Sequence, residues 1–308
     1  MANLNLNHLF YFYEVARQGS FTRAARGLLV SRSALSVQIK ALEQSLGTVL
    51  FDRRRGGVEL TDAGQRVFAV AERVFADIDQ LVADLSHSGR QVTGAVHVGT
   101  VNSIGIYVLP EILTEFRRKY PDVRVRVDFR ESEQVMDQLF QGKIDIAIVP
   151  WQRAYSDLNV VALTRHKMFL VAPPDHPLAK SERLSPHELE KFPFVGYHEG
   201  MYTRSMIDAL FKRMSLEIEY SIESTNSATI KQMVMAGMGL AFLPEIAVAG
   251  ELRRGQLVRL DVPPLVMHQD VTLYTRKNRS LSRTATEFVQ FLQEYFDPGK
   301  RVAEKRGH

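Results

Sequence analysis

The sequence predicts three consecutive parts: an N-terminal all-α domain with a winged helix-turn-helix, a long linker helix, and an α/β domain. Two capped helices occupy residues 20–46, an apolar heptad stripe follows within residues 67–85, and strands alternate with helices from residue 95 onward. These patterns place the first domain at residues 1–61, the linker helix at 62–88, a hinge at 89–93, the α/β domain at 94–297 and a basic tail at 298–308.

Composition excludes several classes of protein. The chain has 308 residues, of which 45% are hydrophobic and 24% charged, so it can form two or three domains with substantial cores. The absence of cysteine excludes disulfides, thiolate zinc sites and thiol redox sensing. Neither a signal sequence nor an apolar run of the roughly 18 residues that span a bilayer occurs. We therefore expect a soluble cytoplasmic protein without a membrane partner.

Positive charge is concentrated near the N-terminus. The net charge of the chain is only +4, but residues 1–66 contain nine basic and five acidic side chains, so this segment carries the whole excess. A local excess of this kind is typical of a surface that meets nucleic acid.

The stretch 20–46 predicts two helices joined by a turn. Ser20 and Ser31 are suitable N-caps, and small Ala24 and Ala25, with Leu28, allow another helix to cross closely. Helical spacing directs one set of apolar side chains of the second helix toward a core, namely Leu35, Ile39, Leu42 and Leu46. The opposite face carries Ser33, Ser36, Val37, Lys40 and Gln44, which we expect to meet a partner. A plain helical hairpin is the alternative interpretation of this stretch alone.

Two further features complete the first domain. A helix from Asn5 to about Gly19 supplies a third wall, with an apolar face formed by Leu6, Leu9, Phe10, Tyr13 and Val15. Two short apolar runs, 49–51 and 58–60, flank a Gly-Gly turn and predict a hairpin whose tip carries Arg53, Arg54 and Arg55. We expect these three arginines to contact phosphates.

Thr61 predicts the start of a long helix that reaches about Ser88. Its apolar residues recur in steps of four and three, which is a heptad seam formed by Val67, Ala71, Val74, Ile78, Leu81 and Leu85. Phe68, Phe75 and Val82 widen this stripe on one side. We expect a dimer contact here, since the first domain is small; packing of the stripe on its own chain is the alternative.

The third part has the pattern of parallel strands covered by helices. Strands are predicted at 95–101, 123–129, 144–149, 160–163, 168–172, 194–197, 219–222, 240–243 and 271–275. Helices are predicted at 104–120, 132–140, 203–214, 228–236 and 281–296, and Ser185, Pro186 and Glu188 form the pattern of a capping box.

These residues carry a specific resemblance. The run GSFTRAARGLLVSRSALSVQIKALEQSLGTVLFDRR followed by LTDAG resembles the LysR-type transcriptional regulators in order and spacing. The runs LPEILTEFRRKYPDV, GKIDIAIV and VMAGMGLAFLP are similar to the effector domain of the same family, so the resemblance spans nearly the whole chain. Two departures lie on the second helix, where the family commonly has glutamine or proline near Arg32 and Ser33 and a basic residue at Val37.

The resemblance, with the charge pattern, implies binding to double-stranded DNA. A recognition helix reads base edges from the major groove, whereas flanking charges fix its register on phosphates. We assign Ser33, Ser36, Val37 and Lys40 to bases, Arg32 and the three wing arginines to phosphates, and Thr22 to the backbone. A symmetric dimer implies an operator with an interrupted palindrome, and the resemblance adds pairing of dimers into homotetramers that bend DNA and alter the access of RNA polymerase.

For the third part the resemblance implies the two-lobed fold of periplasmic solute-binding proteins, with lobe I at 94–163 and 268–297 and lobe II at 164–267. Ligands of open sheets bind beyond the carboxyl ends of the strands. We therefore predict that a small-molecule effector is bound there by Thr100, Asn102, Ser103, Glu131, Ser132, Gly200, Tyr202 and Thr203. Each could also act only as a helix cap. If Glu131 points into the cleft, it favours a cationic or hydroxylated effector over an anion.

The sequence argues against three other functions. Scattered histidines and the lack of a nucleophile elbow, phosphate loop or metal spacing argue against an enzyme, a resident cofactor and a metal site. A cytoplasmic solute-binding or sensor protein would not need the basic first domain. An architectural DNA-binding protein would not need the large third part.

Overall fold

The structure is a computed structural model that describes residues 4–52, 58–86, 92–181 and 184–297. The chain forms two compact units, residues 1–89 and residues 90–308. The predicted wing tip with Arg53, Arg54 and Arg55 lies outside the described residues, as do most of the predicted hinge and the basic tail.

Three capped helices form the first unit: α1 (Leu6–Gln18), α2 (Phe21–Gly27) and α3 (Arg32–Leu46). The side chains of Asn5, Ser20 and Ser31 accept backbone N–H groups of the following turn, so the predicted N-caps Ser20 and Ser31 and the predicted helix start at Asn5 are confirmed. The helices enclose an apolar core that includes Leu9, Phe12, Val15, Ala24, Ala25, Leu35, Ile39 and Leu42.

Two predicted core residues of this unit are wrong. The side chain of Leu46 is 36% exposed and that of Leu6 is 47% exposed, because each lies in a terminal turn beyond the crossing of the helices. Phe12, which the predicted apolar face of α1 omitted, is fully buried instead.

The wing begins as two short antiparallel strands, β1 (Phe51–Asp52) and β2 (Glu59–Leu60), with Phe51 opposite Leu60. The hydroxyl of Thr61 donates to the carbonyl of Val49 at 2.7 Å and accepts the N–H of Gly64 at 2.9 Å. Thr61 therefore joins the wing to the start of α4 (Asp62–Ser86).

The apolar stripe of α4 is divided between two environments. Ala71 is fully buried and Phe75 is 9% exposed, because both pack on α1 of the same chain. The ring of Phe75 lies 5.1 Å from that of Phe10. Ala71 therefore cannot serve as the predicted dimer contact, whereas Leu81 and Val82, further along the helix, are more than half exposed.

The second unit is built on a seven-stranded sheet. Its strands are β3 (Gly94–Thr100), β4 (Val123–Phe129), β5 (Ile146–Val149), β6 (Leu158–Ala172), β9 (Ala241–Pro244), β10 (Val258–Arg259) and β11 (Met267–Arg276). The order is β10-β6-β11-β5-β3-β4, with β9 also paired to β6. The strands β4, β3 and β5 are parallel, whereas β11 is antiparallel to both β5 and β6.

The remaining elements cover this sheet or form a second small one. Strands β7 (Phe194–Tyr197) and β8 (Tyr220–Ser224) pair in parallel. The helices are α5 (Asn102–Tyr107), α6 (Leu109–Lys119), α7 (Ser132–Phe140), α8 (Tyr202–Arg213), α9 (Ser227–Met235), α10 (Glu245–Arg253) and α11 (Arg283–Phe296). The capping box at Ser185 and Glu188 is present and opens a short 3₁₀ turn, Pro186–Lys191.

Two long strands connect the halves of this unit. The sequence predicted separate strands at 160–163 and 168–172, but β6 runs without a break and pairs with β11 over residues 158–168. One apolar cluster includes Val96, Ile148, Leu163 and Phe288, and another includes Met168, Phe194, Leu243 and Met267. Both strands contribute to each cluster, so they form the connection between two lobes.

The helix predicted at 104–120 is interrupted. It is two helices, α5 and α6, which separate at Val108, directly before Leu109 and Pro110. Proline lacks the N–H of a helix interior and disfavours helical backbone before it, so it begins α6 rather than continuing α5. In the described part of the chain, no helix is long and apolar enough to cross a membrane.

Candidate DNA-binding face and effector cleft

The exposed face of α3 carries the side chains that the sequence assigned to DNA. Leu35 and Ile39 are buried beneath it, and the rotation of the helix leaves Arg32, Ser33 and Lys40 exposed. Ser36 is half-buried. Val37 is 62% exposed although it is apolar, so its methyl groups are available to a partner. The first two turns of α3 thus offer a cation, two hydroxyls and an apolar group on this face.

The turn that precedes α3 contributes an exposed leucine that sequence reasoning missed. Leu29 is 93% exposed and has a φ of 55°, which is left-handed backbone that leucine rarely adopts. The N-cap hydroxyl of Ser31 lies 3.0 Å from that of Ser33. Thr22 is exposed on α2. The three wing arginines fall outside the described residues.

A cleft in the second unit lies where the strands β3, β4, β5, β7 and β8 end. It encloses about 510 Å³ of empty space, part of which is open to solvent. Seven of the eight predicted effector residues line it: Asn102, Ser103, Glu131, Ser132, Gly200, Tyr202 and Thr203. Glu131 is exposed and is one of these lining residues.

Thr100 is the exception and does not line the cleft. Its side chain is fully buried, and its hydroxyl donates to the carbonyl of Ile148 at 2.8 Å. Side chains alternate across a strand, so the last residue of β3 faces the interior. Thr100 therefore joins two strands and is not an effector contact.

Helix N-termini with free amides are the main polar feature of this cleft. The N-cap residues of α5, α7 and α8 are Val101, Glu131 and Met201, and none of them makes a side-chain capping bond. By contrast, Asn226 caps α9 through its side chain. The first amides of a helix have no partner within the helix and favour an acceptor or an anion. The cleft therefore presents donors from three directions.

An aromatic wall closes one side of the cleft. The rings of Trp151 and Tyr202 meet edge to face at 5.0 Å, and the guanidinium of Arg153 lies 4.5 Å from the first ring and 5.2 Å from the second. Arg153 also pairs with Glu133 at 3.2 Å. The hydroxyl of Tyr274 fixes this segment, since it accepts the N–H of Arg153 at 2.7 Å and donates to the same residue's carbonyl at 3.0 Å.

One polar atom of this wall has no partner. Trp151 is fully buried, and its indole Nε1–H makes no hydrogen bond in the structure. A buried donor without an acceptor costs roughly 1–3 kcal/mol, and this donor belongs to a residue that lines the cleft. Burial also raises the pKa of the Tyr197 hydroxyl well above its usual range, which keeps this lining group protonated.

A polar network holds the second-lobe side of the cleft in place. Arg204 of α8 donates to the carbonyl of Tyr197 at 2.9 Å and pairs with Asp208 at 2.8 Å and with Glu223 at 2.5 Å. The hydroxyl of Thr203 accepts the side-chain amide of buried Gln269 at 3.0 Å. The N-terminus of α8 is thereby fixed relative to β7, β8 and β11.

Sequence reasoning missed eight lining residues: Val101, Glu133, Pro150, Trp151, Tyr197, Met201, Thr225 and Ser227. For three of these residues, the sequence contained a signal that could have identified them. Pro150 and Trp151 directly follow β5, and Thr225 follows β8, so the rule that ligands bind beyond strand ends applies to them as well.

Known families match both units. Residues 6–65 match the family described as "Bacterial regulatory helix-turn-helix protein, lysR family", and residues 89–297 match "LysR substrate binding domain". An uncharacterized HTH-type transcriptional regulator, YfeR of Shigella flexneri, is 33% identical over 92% of this chain and 91% of its own. The transcriptional activator CmpR of Synechocystis is 28% identical over 95% of this chain and 96% of its own.

Solved structures have the same fold. Full-length OxyR of Pseudomonas aeruginosa aligns with a TM-score of 0.68 at 23% identity, over 97% of this chain and 96% of that one. The CcmR regulatory domain of Synechocystis, in complex with 2-PG, aligns with a TM-score of 0.61 at 24% identity, over 66% of this chain and 98% of that one. The chain therefore belongs to the LysR family: it is a DNA-binding transcriptional regulator with an effector-binding domain, and not an enzyme.

Proposed function

We propose that α3 reads the operator and that a small molecule in the cleft controls how the protein holds or bends this DNA. The observation that carries the effector part is the meeting of three uncapped helix N-termini in one cleft. Donors without internal partners are stabilised when a bound ligand supplies acceptors. Closure of the two lobes on such a ligand is a change that can be passed to the DNA-binding unit.

Base reading is assigned to Ser33, Ser36, Val37 and Lys40. Their exposure on α3 supports this assignment, and Val37 offers only apolar contact, which suits a thymine methyl group. Arg32, Arg53, Arg54 and Arg55 are assigned to phosphates, with Thr22 on the backbone beside them. Phosphate contacts supply affinity and salt dependence but little sequence information.

The functional unit is proposed to be a homodimer that pairs into a homotetramer. The exposure of Leu81 and Val82 on α4 supports a contact with a second copy, because the first unit does not cover them. Val67, Val74, Ile78 and Leu85 remain in the proposed seam, and Ala71 is removed from it. Two-fold symmetry then requires an operator with an interrupted palindrome. Contact with RNA polymerase follows from the place of such regulators at promoters.

Related effector domains indicate the size of ligand to expect. The structures of CcmR with 2-PG and of QuiR with shikimate each contain one small polar molecule, and neither is a resident cofactor. We propose a comparable small co-inducer here and no cofactor. The predicted limits of the two lobes, and a cytoplasmic location with the nucleoid as the site of action, stay part of the proposal.

Mobility shift with the DNA upstream of the chain's own gene tests the DNA-binding part. We expect R32A and R54A to weaken binding to specific and random DNA alike and to reduce the salt slope by about one each. S36A should change the preference among operator variants instead. Equal losses from all three variants on both kinds of DNA would contradict the division between base and phosphate contacts.

A second experiment tests whether the effector controls DNA binding. Compounds that raise the thermal unfolding midpoint of the full chain are added to the mobility shift, since a ligand of the folded state raises its apparent stability. We expect such a compound to change the mobility or affinity of the complex. A compound that binds the cleft and leaves the DNA complex unchanged would contradict control by this site.

A further inference from the structure

The charged side chains among the described lining residues of the cleft are all acidic. Two carboxylates, Glu131 and Glu133, line it, and the described lining residues include no lysine, arginine or histidine. Arg153 neutralises Glu133 at 3.2 Å, so that carboxylate already has a cation. Glu131 forms no ion pair with a described residue, and its side chain makes no capping bond to α7. The cleft therefore offers one carboxylate to a ligand.

Donors occupy the other side of the same cleft. The N-terminus of α8, a helix of 12 residues, presents amides that no side chain caps. The buried indole N–H of Trp151, which packs on Tyr202 at that N-terminus, also lacks an acceptor. These two observations are independent, and both require an acceptor oxygen that carries negative charge or a strong dipole.

A ligand with one kind of charge satisfies only half of this arrangement. A dicarboxylate would place negative charge against Glu131, and a simple amine would leave the helix amides and the indole N–H without acceptors. A molecule with an ammonium and a carboxylate satisfies both sides. Between them, Tyr197, Tyr202 and Met201 supply an apolar surface for a side chain of modest size.

We infer that the effector is a small zwitterion of the α-amino-acid type. Glu131 binds its ammonium, and the amides at the start of α8 and the Trp151 indole bind its carboxylate. This inference rests on the proposed function, since it names the class of ligand for the same cleft. Glu131 then determines specificity, because it separates amino acids from the hydroxy acids of equal shape.

Calorimetric titration of the full chain tests this inference with matched compounds. The twenty protein amino acids are compared with the 2-hydroxy acid and the decarboxylated amine that share each side chain. We expect an amino acid to bind at least about tenfold more tightly than both of its matched compounds. The Glu131→Gln substitution should weaken the amino acid about tenfold, because it removes a charge-assisted hydrogen bond, and should leave the hydroxy acid nearly unchanged.

Two further variants distinguish a loss of affinity for the ammonium group from a general loss of ligand affinity. Trp151→Phe keeps an aromatic ring but removes the N–H, so we expect the affinities for the amino acid and for the hydroxy acid to fall by the same factor. Glu111→Gln, an exposed carboxylate on α6, is the control and should change neither affinity. Each variant is first shown to keep the wild-type circular dichroism spectrum.

The outcomes distinguish this inference from the proposed function. The inference is wrong if no amino acid of the panel binds, if a hydroxy acid binds as tightly, or if E131Q leaves the amino acid's affinity unchanged. A hydroxy acid that binds and alters the DNA complex would overturn the inference and keep the proposed function. An amino acid that binds as expected but leaves the DNA complex unchanged would overturn the proposed function alone.

Discussion

A carboxylate oxygen of Glu43 accepts the backbone N–H of Leu50 at 2.8 Å and approaches that of Phe51 at 3.4 Å. Glu43 lies in α3, and Leu50 and Phe51 lie at the start of the wing, where both are buried. Glu43 therefore joins α3 to the start of the wing. Under the proposed function, the relative position of α3 and the wing determines whether base and phosphate contacts can form together.

Replacement of Glu43 by alanine should loosen this connection. The variant leaves two buried N–H groups without an acceptor, which costs roughly 1–3 kcal/mol. Hydrogen exchange followed by mass spectrometry on residues 48–52 should show faster exchange, together with weaker operator binding. Glu43→Gln retains an acceptor oxygen and should lie near wild type, and Glu59→Ala, on the exposed face of β2, is the control. Unchanged protection in E43A would show that the bond contributes little.

Gly64 should not tolerate a side chain, although it lies in a helix. A Cβ atom at this position would be 2.1 Å from the carbonyl oxygen of Leu50, which is backbone and cannot rotate away. We expect Gly64→Ala to destabilise the first unit by about 2 kcal/mol or more, despite the better helix propensity of alanine.

Gly250 is a matched control for that substitution. It is also helical, but a Cβ there would meet only the end of the Arg254 side chain, at 3.3 Å. Gly250→Ala should be neutral or stabilising by up to about 1 kcal/mol. Urea unfolding monitored by circular dichroism measures both variants, and equal midpoints would refute the steric argument.

Replacing Leu29 by a residue that tolerates left-handed backbone should stabilise the first unit. Leucine at a φ of 55° is strained by roughly 1–2 kcal/mol, and its 93% exposed side chain contributes little packing that could offset this strain. Leu29→Asn should therefore raise the free energy of unfolding of the first unit by about 0.5–1 kcal/mol. The measurement is urea unfolding of the full chain, with Leu4→Asn, an exposed leucine before α1, as the control. A loss of operator affinity without loss of stability would mean that Leu29 contacts DNA.

The sequence predicted local structure well where one rule acts alone. The caps Ser20 and Ser31 and the helix start at Asn5 were predicted correctly, because a short polar side chain before a helix competes with few alternatives. The break at Val108 was missed, because helical periodicity continues through it and only Pro110 marks the change. The 15 residues of β6 appeared as two strands, because a strand that passes between two lobes changes its buried face along the way.

For the cleft and for α4, the sequence predicted which segments are involved but not the surroundings of each side chain. Strand ends indicated Asn102, Ser103, Glu131 and Ser132 because chain order determines them once the sheet is known. The same rule placed Thr100 wrongly, since the direction of one side chain depends on the exact end of β3. The stripe on α4 was assigned wholly to a dimer, yet Ala71 and Phe75 pack on α1. Burial within the chain and burial between chains produce the same apolar pattern, so periodicity cannot separate them.

Two half-buried histidines predict a loss of stability in mild acid. Burial lowers the pKa of His166 and of His176 from the ordinary 6.5, although Glu245 and Asp175 respectively act in the opposite direction. As the pH falls through 6.5, the unfolded chain takes up protons that these folded histidines do not, so the unfolded state is favoured. The stability that they contribute is present above this pH and is lost below it. The Arg204 hydrogen bond lowers the pKa of Glu223, so the contribution of that carboxylate is lost as the pH falls below 4.5.

Thermal unfolding between about pH 7.5 and pH 5.5 isolates the histidines, because carboxylates stay ionised over this range. Trp151 is the only tryptophan and is fully buried in the second unit, so its fluorescence reports the unfolding of that unit. We expect the midpoint to fall with pH in the wild type. It should fall less in the single variants His166→Gln and His176→Gln and least in the double variant, since glutamine does not titrate. His187→Gln, an exposed histidine, is the control. A double variant with the same pH dependence as the wild type would assign the loss to other groups.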